Sequence, residues 1–339
     1  MTDHTMKKNP VSIPHTVWYA DDIRRGEREA ADALGLTLYE LMLRAGEAAF
    51  QVCRTAYPDA RHWLVLCGHG NNGGDGYVVA RLAKAVGIEV TLLAQESDKP
   101  LPEEAALARE AWLNAGGEIH ASNIVWPESV DLIVDALLGT GLQQAPRESI
   151  SQLIDHANTH PAPIVAVDIP SGLLAETGAT PGAVINADHT ITFIALKPGL
   201  LTGKARDVTG QLHFDSLGLD SWLAGQETKI QRFSAEQLSH WLKPRRPTSH
   251  KGDHGRVVII GGDHGTAGAI RMTGEAALRA GAGLVRVLTR SENIAPLLTA
   301  RPELMVHELT MDSLAESLEW ADVVVIGPGL GQQEWGKKA

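Results

Sequence analysis

The chain has 339 residues, a formal net charge of −11 and two cysteines. That length accommodates two domains at ~150 residues each, and the acidic balance argues against general binding to nucleic acid or to an anionic membrane. Cys53 and Cys67 form neither a metal pattern nor a disulfide framework, no segment is long enough to span a bilayer, and Met1 to Pro10 lacks the apolar core of a signal peptide. These features predict a soluble cytoplasmic protein.

In chain order, the charged, Ala-rich segment from Val17 to Leu34 reads as a surface helix. Thr37-Leu38-Tyr39-Glu40 is a capping-box pattern that opens a second helix. Leu38, Leu41, Met42, Ala45, Ala49 and Val52 line one face of it, for packing on a sheet or for a contact between subunits of a homo-oligomer. The apolar run His62–Leu66 predicts a buried strand, and Tyr77–Val86 a helix. Between them lies Gly68-His69-Gly70-Asn71-Asn72-Gly73-Gly74-Asp75-Gly76, expected to be a phosphate or nucleotide cradle whose glycines let the loop turn sharply and approach a ligand closely. Its G-x-G-x-x-G spacing is a weak dinucleotide signal alone, and the second strand, Ile88–Ala94, ends in Gln95 and Glu96, which meets the ribose-acid rule only loosely.

A helix over Pro102–Asn114 stops at Gly116-Gly117. The strand in Asp131–Leu138 carries Asp135 and runs into Gly139-Thr140-Gly141. A helix over Glu148–Ala157 leads to the strand Pro163–Val167, which ends at Asp168-Ile169-Pro170-Ser171-Gly172. Further strands are read at Thr190–Ala195 and Gly210–Phe214. Apolar strands alternating with helices predict a parallel sheet covered on both faces. Three polar clusters then fall at the C-terminal strand ends, the edge where open α/β sheets bind ligands.

Lys243-Pro244-Arg245-Arg246-Pro247 reads as a linker. A second α/β pattern follows, with strands at Arg256–Ile260, Gly283–Thr289 and Asp322–Ile326 and a helix at Thr273–Arg279. The expected division is residues 1–228, a linker over 229–247, and an incomplete second domain over 248–339.

Asp135 and Asp168 each end an apolar strand, where a carboxylate is paired, coordinated or wet. One reading gathers a hard cation on the amide oxygen of Asn72, the carboxylate of Asp135 and the hydroxyl of Ser171, an oxygen set suited to a monovalent or alkaline-earth ion rather than zinc. Another gives proton transfer to an acid, with Asp168 as the candidate. There is no nucleophile elbow and no Walker lysine.

Together, Gly68–Gly76, Asp135–Gly141 and Asp168–Gly172 resemble the YjeF N-terminal family, the NAD(P)H-hydrate epimerases. His250-Lys251-Gly252, Gly261-Gly262 and Gly327-Pro328-Gly329-Leu330-Gly331 resemble the ribokinase-like, ADP-dependent NAD(P)H-hydrate dehydratases fused to them in bifunctional bacterial forms. The resemblance implies a Rossmann-like three-layer α/β/α domain followed by a ribokinase-like α/β domain. It also implies a repair enzyme that interconverts the R and S forms of hydrated NADH or NADPH. Asn71, Asn72, Gly73, Gly74 and Asp75, with Gly139, Thr140, Gly141, Leu142, Gln143, Gln144 and Ala145, would hold the hydrate. Asn72, Asp135 and Ser171 would bind potassium, and Asp168 would contact the hydrated nicotinamide and handle the proton. Ala269 and Gly329 would contact the dehydratase's substrate, with ADP or ATP as its cofactor. The dehydratases' later motifs have no counterpart before Ala339, so a truncated second domain without dehydratase activity is expected. The competing readings are an NAD(P)-dependent dehydrogenase and a non-catalytic nucleotide-binding domain.

Overall fold

A computed structural model describes residues 13–122, 125–127, 129–228 and 230–338. The expectation for Met1–Pro10 lies outside these residues. The chain divides into two compact units, Met1–Leu238 and Ser239–Ala339.

The first unit runs β1 (Thr16–Val17), α1 (Ala20–Leu34), α2 (Leu38–Ala56), β2 (His62–Cys67), α3 (Asn71–Ala85), β3 (Glu89–Ala94), α4 (Glu103–Asn114), β4 (His120–Ala121) and β5 (Leu132–Ala136). It continues through α5 (Glu148–Thr159), β6 (Ile164–Val167), β7 (His189–Phe193), α6 (Ala205–Val208), β8 (Gln211–Asp215), α7 (Asp220–Ala224) and β9 (Ile230–Gln231). Seven parallel strands form one sheet in the order β4-β3-β2-β5-β6-β7-β8. Alternate residues feed two cores: Trp63, Val65, Leu132 and Val134 pack on the side of α2, α3 and α4, while Leu64, Leu66, Ile133 and Ala166 face α5. Three layers result, because strands apolar on both faces must be covered on both. The chain leaves β2 outward through β3 and β4, then returns to place β5 on the other side of β2. That reversal makes the C-terminal ends of β2 and β5 the topological switch point.

The Thr37–Glu40 capping box forms as expected, with Thr37 Oγ1 accepting from the Glu40 amide and the Glu40 carboxylate accepting from the Thr37 amide. Leu41, Met42, Ala45, Ala49, Phe50 and Cys53 of α2 are buried inside the unit, so this face packs on its core, with Leu38 and Val52 half-buried at the margin. The segment expected to be a linker from residue 229 begins inside the first unit. Ile230 and Gln231 pair antiparallel with Val17 and Thr16, and Arg232 donates to the carbonyls of Ile13 and Pro14.

A larger correction concerns the glycine stretch. The helix α3 begins at Asn71, with Gly70 as its N-cap, so Gly73, Gly74 and Gly76 are helical. None of Gly68, Gly70, Gly73, Gly74 and Gly76 has positive φ. A Cβ on Gly70 would meet nothing within 4 Å, but the other four are small because neighbouring backbone and side chains press on them. A Cβ on Gly73 would lie 2.0 Å from the Gly68 carbonyl oxygen, and one on Gly74 2.6 Å from Met42 and 3.0 Å from Ala105 Cα. Close helix–strand and helix–helix approach, not turn flexibility, selects these glycines.

After α8 (Leu238–Trp241), the second unit runs β10 (Arg256–Ile260), α9 (Ala267–Ala280), β11 (Leu284–Thr289), α10 (Ile294–Ala300), β12 (Met305–Glu308), α11 (Met311–Trp320), β13 (Val323–Ile326) and α12 (Glu334–Lys338). Four parallel strands lie in the order β12-β11-β10-β13. Strand β12 and helices α10 and α11 add to the expected elements, and α9 starts six residues before the expected helix at Thr273. One core gathers Ile259, Ile270, Val285, Val287 and Leu297; a smaller one gathers Val258, Ile260 and Leu288 with Leu314 and Trp320.

Candidate active site

At the switch point, the ends of β2 and β5 nearly touch. A Cβ on Gly68 would lie 1.7 Å from the Leu137 carbonyl oxygen. The first turn of α3 and the Gly139–Gly141 turn therefore form adjoining walls, and a Cβ on Gly139 would meet Asn72 Cβ at 3.2 Å. Between these walls, α1, α2 and the ends of β6 and β7 lies a cleft of about 920 Å³. Of the residues expected to hold a ligand, Asn71, Asn72, Asp75, Gly139, Thr140, Gly141, Leu142 and Asp168 line it. Gly73 and Gly74 are buried in the helix and do not line it, and Gln143, Gln144 and Ala145 are exposed beyond its wall. The first intrahelical bond reaches Gly70 from the Gly74 amide, which leaves the earlier amides of α3 directed at the cleft, an anion-binding arrangement.

Asp168 sits in a strained turn. Its φ is +65°, and the Ile169 amide donates across it to the Val167 carbonyl at 2.8 Å. Ile194, after the neighbouring strand, repeats the arrangement with φ +65° and a bond of 2.7 Å from the Ala195 amide to the Phe193 carbonyl. Such γ-turns cost about 1–3 kcal/mol each for residues other than glycine and concentrate at functional sites. Both residues line the cleft. Asp168 Oδ1 accepts from Lys197 Nζ at 2.5 Å and from Thr192 Oγ1 at 3.1 Å. Lys197, 3% exposed, also donates to Thr192 Oγ1 and the Phe193 carbonyl, each at 2.9 Å. No hydrogen bond reaches Asp168 Oδ2 among the described residues, so that oxygen is left for a ligand.

Sequence reasoning missed Lys197. The available signal was a lysine in the apolar run after β7, where a buried ammonium needs an acid; its partner, 29 residues earlier, is brought beside it only by strand pairing. Glu27 was missed too. It enters the cleft from α1, together with Arg24, Arg25 and Arg28. Burial foremost, then the Asp168 charge, pushes the carboxyls of Glu27 and Asp75 above the ordinary range, Asp75 furthest.

Asp135 and Ser171 lie buried beneath the cleft rather than in its wall. Asp135 Oδ1 accepts from Ser171 Oγ at 2.6 Å and from the Leu137 amide at 3.2 Å, and Oδ2 accepts from the Ser171 amide at 2.8 Å. Burial pushes this carboxyl up to about 6 against those hydrogen bonds. Asn72 Nδ2 donates to the Leu138 carbonyl at 3.1 Å, and Ser171 Oγ accepts from the Leu138 amide at 2.8 Å. Asn72 and Ser171 thus both hold Leu138, and Asp135 holds Ser171 and the amide of the preceding Leu137. Asn72 Oδ1 is buried there without a hydrogen-bond partner, an orphan acceptor that a cation would satisfy.

In the second unit, the glycine loops after β10 and β13 are joined. The Gly262 amide donates to the Pro328 carbonyl at 3.0 Å and the Asp263 amide to the Gly329 carbonyl at 2.5 Å. Gly329 has φ +72°, and its missing Cβ leaves room for Thr266 Oγ1, 2.4 Å from where one would sit. The Ala269 amide donates to the Thr266 carbonyl, so Ala269 and Gly329 both adjoin Thr266.

Residues 38–199 match the family described as YjeF-related protein N-terminus, and residues 257–339 match NAD(P)H-hydrate dehydratase. The chain is 98% identical over all its 339 residues to the bifunctional NAD(P)H-hydrate repair enzyme Nnr of Escherichia coli K12, spanning 66% of that protein. It is 48% identical to a bifunctional NAD(P)H-hydrate repair enzyme of Leishmania braziliensis over 95% of this chain and 60% of the relative. The chain thus spans less than two thirds of these relatives' length. A crystal structure of yeast ynu0 shares the fold at 23% identity and a TM-score of 0.50, covering 58% of this chain and 86% of that one. The expected absence of dehydratase activity finds no support, since the dehydratase match runs through residue 339. The chain thus joins a YjeF-related unit to an NAD(P)H-hydrate dehydratase unit, and over nearly its whole length it is similar to the bifunctional NAD(P)H-hydrate repair enzymes.

Proposed function

We propose that the first unit epimerises the R and S forms of hydrated NADH and NADPH at C6 of the nicotinamide ring, in the cleft at the switch point. The observation that carries this reading is the Asp168–Lys197 ion pair held in a strained turn at the edge of that cleft. Phosphates of the hydrate lie on the early amides of α3 and the Gly139–Leu142 turn, and Asp168 Oδ2 meets the hydrated ring. A smaller cavity of about 400 Å³ at the ends of β2, β3 and β4 shares His69 and Gln95 with the cleft, which suits the other end of a dinucleotide.

Asn72 Oδ1, Asp135 and Ser171 fit potassium, since they supply oxygen donors with a single carboxylate. The described residues contain no group of three or more His, Cys, Asp or Glu that would hold a transition metal. Potassium there would supply fixed positive charge beneath the anionic substrate. The second unit carries the dehydratase, with ADP or ATP as cofactor and Ala269 and Gly329 at its substrate; the S-hydrate made by the first unit is its feed. We place the protein in the cytoplasm, where its two buried thiols, Cys53 and Cys67, stay reduced.

The test follows purified R-hydrate by chiral-sensitive chromatography in potassium buffer. Equilibration faster than the no-enzyme control, lost in Asp168→Asn, is the expected result. Equal rates with and without enzyme would refute the epimerase. Hydride exchange with an added carbonyl compound would favour a dehydrogenase instead.

A further inference from the structure

We propose that Glu27 is a second proton carrier of the epimerase reaction beside Asp168, an inference that rests on the epimerase reading above. Glu27 lies four residues after Ile23 and three before Ala30, both buried, which puts it on the inward face of α1. Its neighbour Gly26 is packed so closely under Trp222 that a Cβ would lie 2.2 Å from the ring. The side chain lines the cleft with Asp75, Asp168 and Lys197. No hydrogen bond or ion pair to its carboxyl occurs among the described residues. A carboxylate withdrawn from water without a partner is costly, so this one stands neutral or serves a ligand.

The surrounding charges reinforce that state. Among the described residues Lys197 is the one buried ammonium at the cleft, and Asp168 already holds it. Glu104 on α4 adds negative charge that acts to keep Glu27 protonated, and burial pushes the carboxyl of Asp75 on α3 well above its own ordinary range. Arg24 and Arg25 are paired along their own helix with Asp21 and Asp22. Arg28 and His69 are the remaining charged or titratable residues of the lining. Burial first, and Asp168 second, push Glu27 above the ordinary carboxylate range.

Inversion at C6 needs one carboxyl that begins neutral and one that begins ionised. A neutral carboxyl gives its proton to the C6 hydroxyl, the C6–O electron pair leaves with water, and the N1 lone pair forms a C6–N1 double bond. Water then adds to the opposite face, the double-bond pair returns to N1, and the excess proton passes to a carboxylate. One proton is given and one is taken, and the swapped states are those required for the reverse epimerisation. Glu27 is the neutral member and Asp168, in its ion pair, the ionised one, the division of roles that acid/base pairs require.

The experiment measures R/S equilibration across pH for wild type, Glu27→Gln and Glu27→Asp, with hydrogen exchange of α1 as a folding control. Wild type should slow as the pH rises through the raised Glu27 titration. Glu27→Gln should be slower by about 10²-fold, the usual scale of general acid catalysis, and should lack that alkaline limb, with partial recovery in Glu27→Asp. Glu27→Gln that equilibrates the epimers at the wild-type rate with the same limb overturns the proposal. If Glu27→Gln does not fold, Glu27→Asp decides, and its full wild-type rate and limb overturn the proposal equally. A wild type no faster than buffer instead refutes the epimerase reading itself, and Glu27's role falls with it.

Discussion

Replacing Lys197 by methionine tests whether the ion pair holds the edge of the cleft together. Lys197 is 3% exposed and its ammonium satisfies Asp168 Oδ1 at 2.5 Å, Thr192 Oγ1 at 2.9 Å and the Phe193 carbonyl at 2.9 Å. Methionine keeps most of the volume but strands these acceptors and leaves the Asp168 charge uncompensated. Breaking a buried pair from one side costs about 3–5 kcal/mol. Asp168 is 17% exposed, so water relieves part of this and the expected loss is about 3 kcal/mol. Because a chain of two compact units need not unfold in one two-state step, the assay is native-state hydrogen exchange in urea, read on amides of β6 and β7. Lys197→Met, Asp168→Asn and the double variant complete a cycle, in which the double variant should lose less than the sum of the singles. A loss below about 1 kcal/mol, or additive losses, would refute the structural role given to the pair.

Other expectations can be checked singly. Gly73→Ala places a methyl 2.0 Å from a backbone oxygen that cannot turn aside, so thermal unfolding should show a loss of about 1–3 kcal/mol in the first unit, whereas an unobstructed helical glycine would gain about 0.5–1 kcal/mol on the same change. Potassium should raise the first unit's unfolding temperature over lithium at equal ionic strength, and Asn72→Leu should remove the difference; no ion preference in wild type would count against the cation site. His189 Nδ1 and His213 Nε2 lie 2.9 Å apart, and burial holds both imidazoles below their ordinary 6.5. A folded value below the unfolded one gives stability that is complete above pH 6.5 and is lost as the pH falls through the folded values. His213→Gln should flatten that acid loss in pH-dependent melting, and an unchanged slope would disprove the contribution.

The first unit's sheet was legible because its strands are apolar on both faces and separated by amphipathic helices, a pattern that only a covered parallel sheet satisfies. Asn72, Asp135, Asp168 and Ser171 were legible as polar interruptions at strand ends. What escaped had long-range causes. Gly73 and Gly74 look like loop residues because sequence does not show Gly68, Met42 and Ala105 pressing on the helix. Glu27 looks like one more solvated charge in a helix rich in them, and only the packing of Ile23, Gly26 and Ala30 turns it inward. Lys197 has no local signal for Asp168. In the second unit, Met305–Glu308 alternates too briefly and too exposed to read as a strand, and pairing with β11 defines it.

The most direct test of a switch-point active site is a crystal structure of Asp168→Asn with the R-hydrate of NADH in potassium. The expected result is the hydrated nicotinamide ring packed against residue 168, with the pyrophosphate on the first turn of α3 and the Gly139–Leu142 turn. A hydrate bound with its nicotinamide end away from Asp168, or bound outside the cleft, would contradict the assignment of the epimerase to this site.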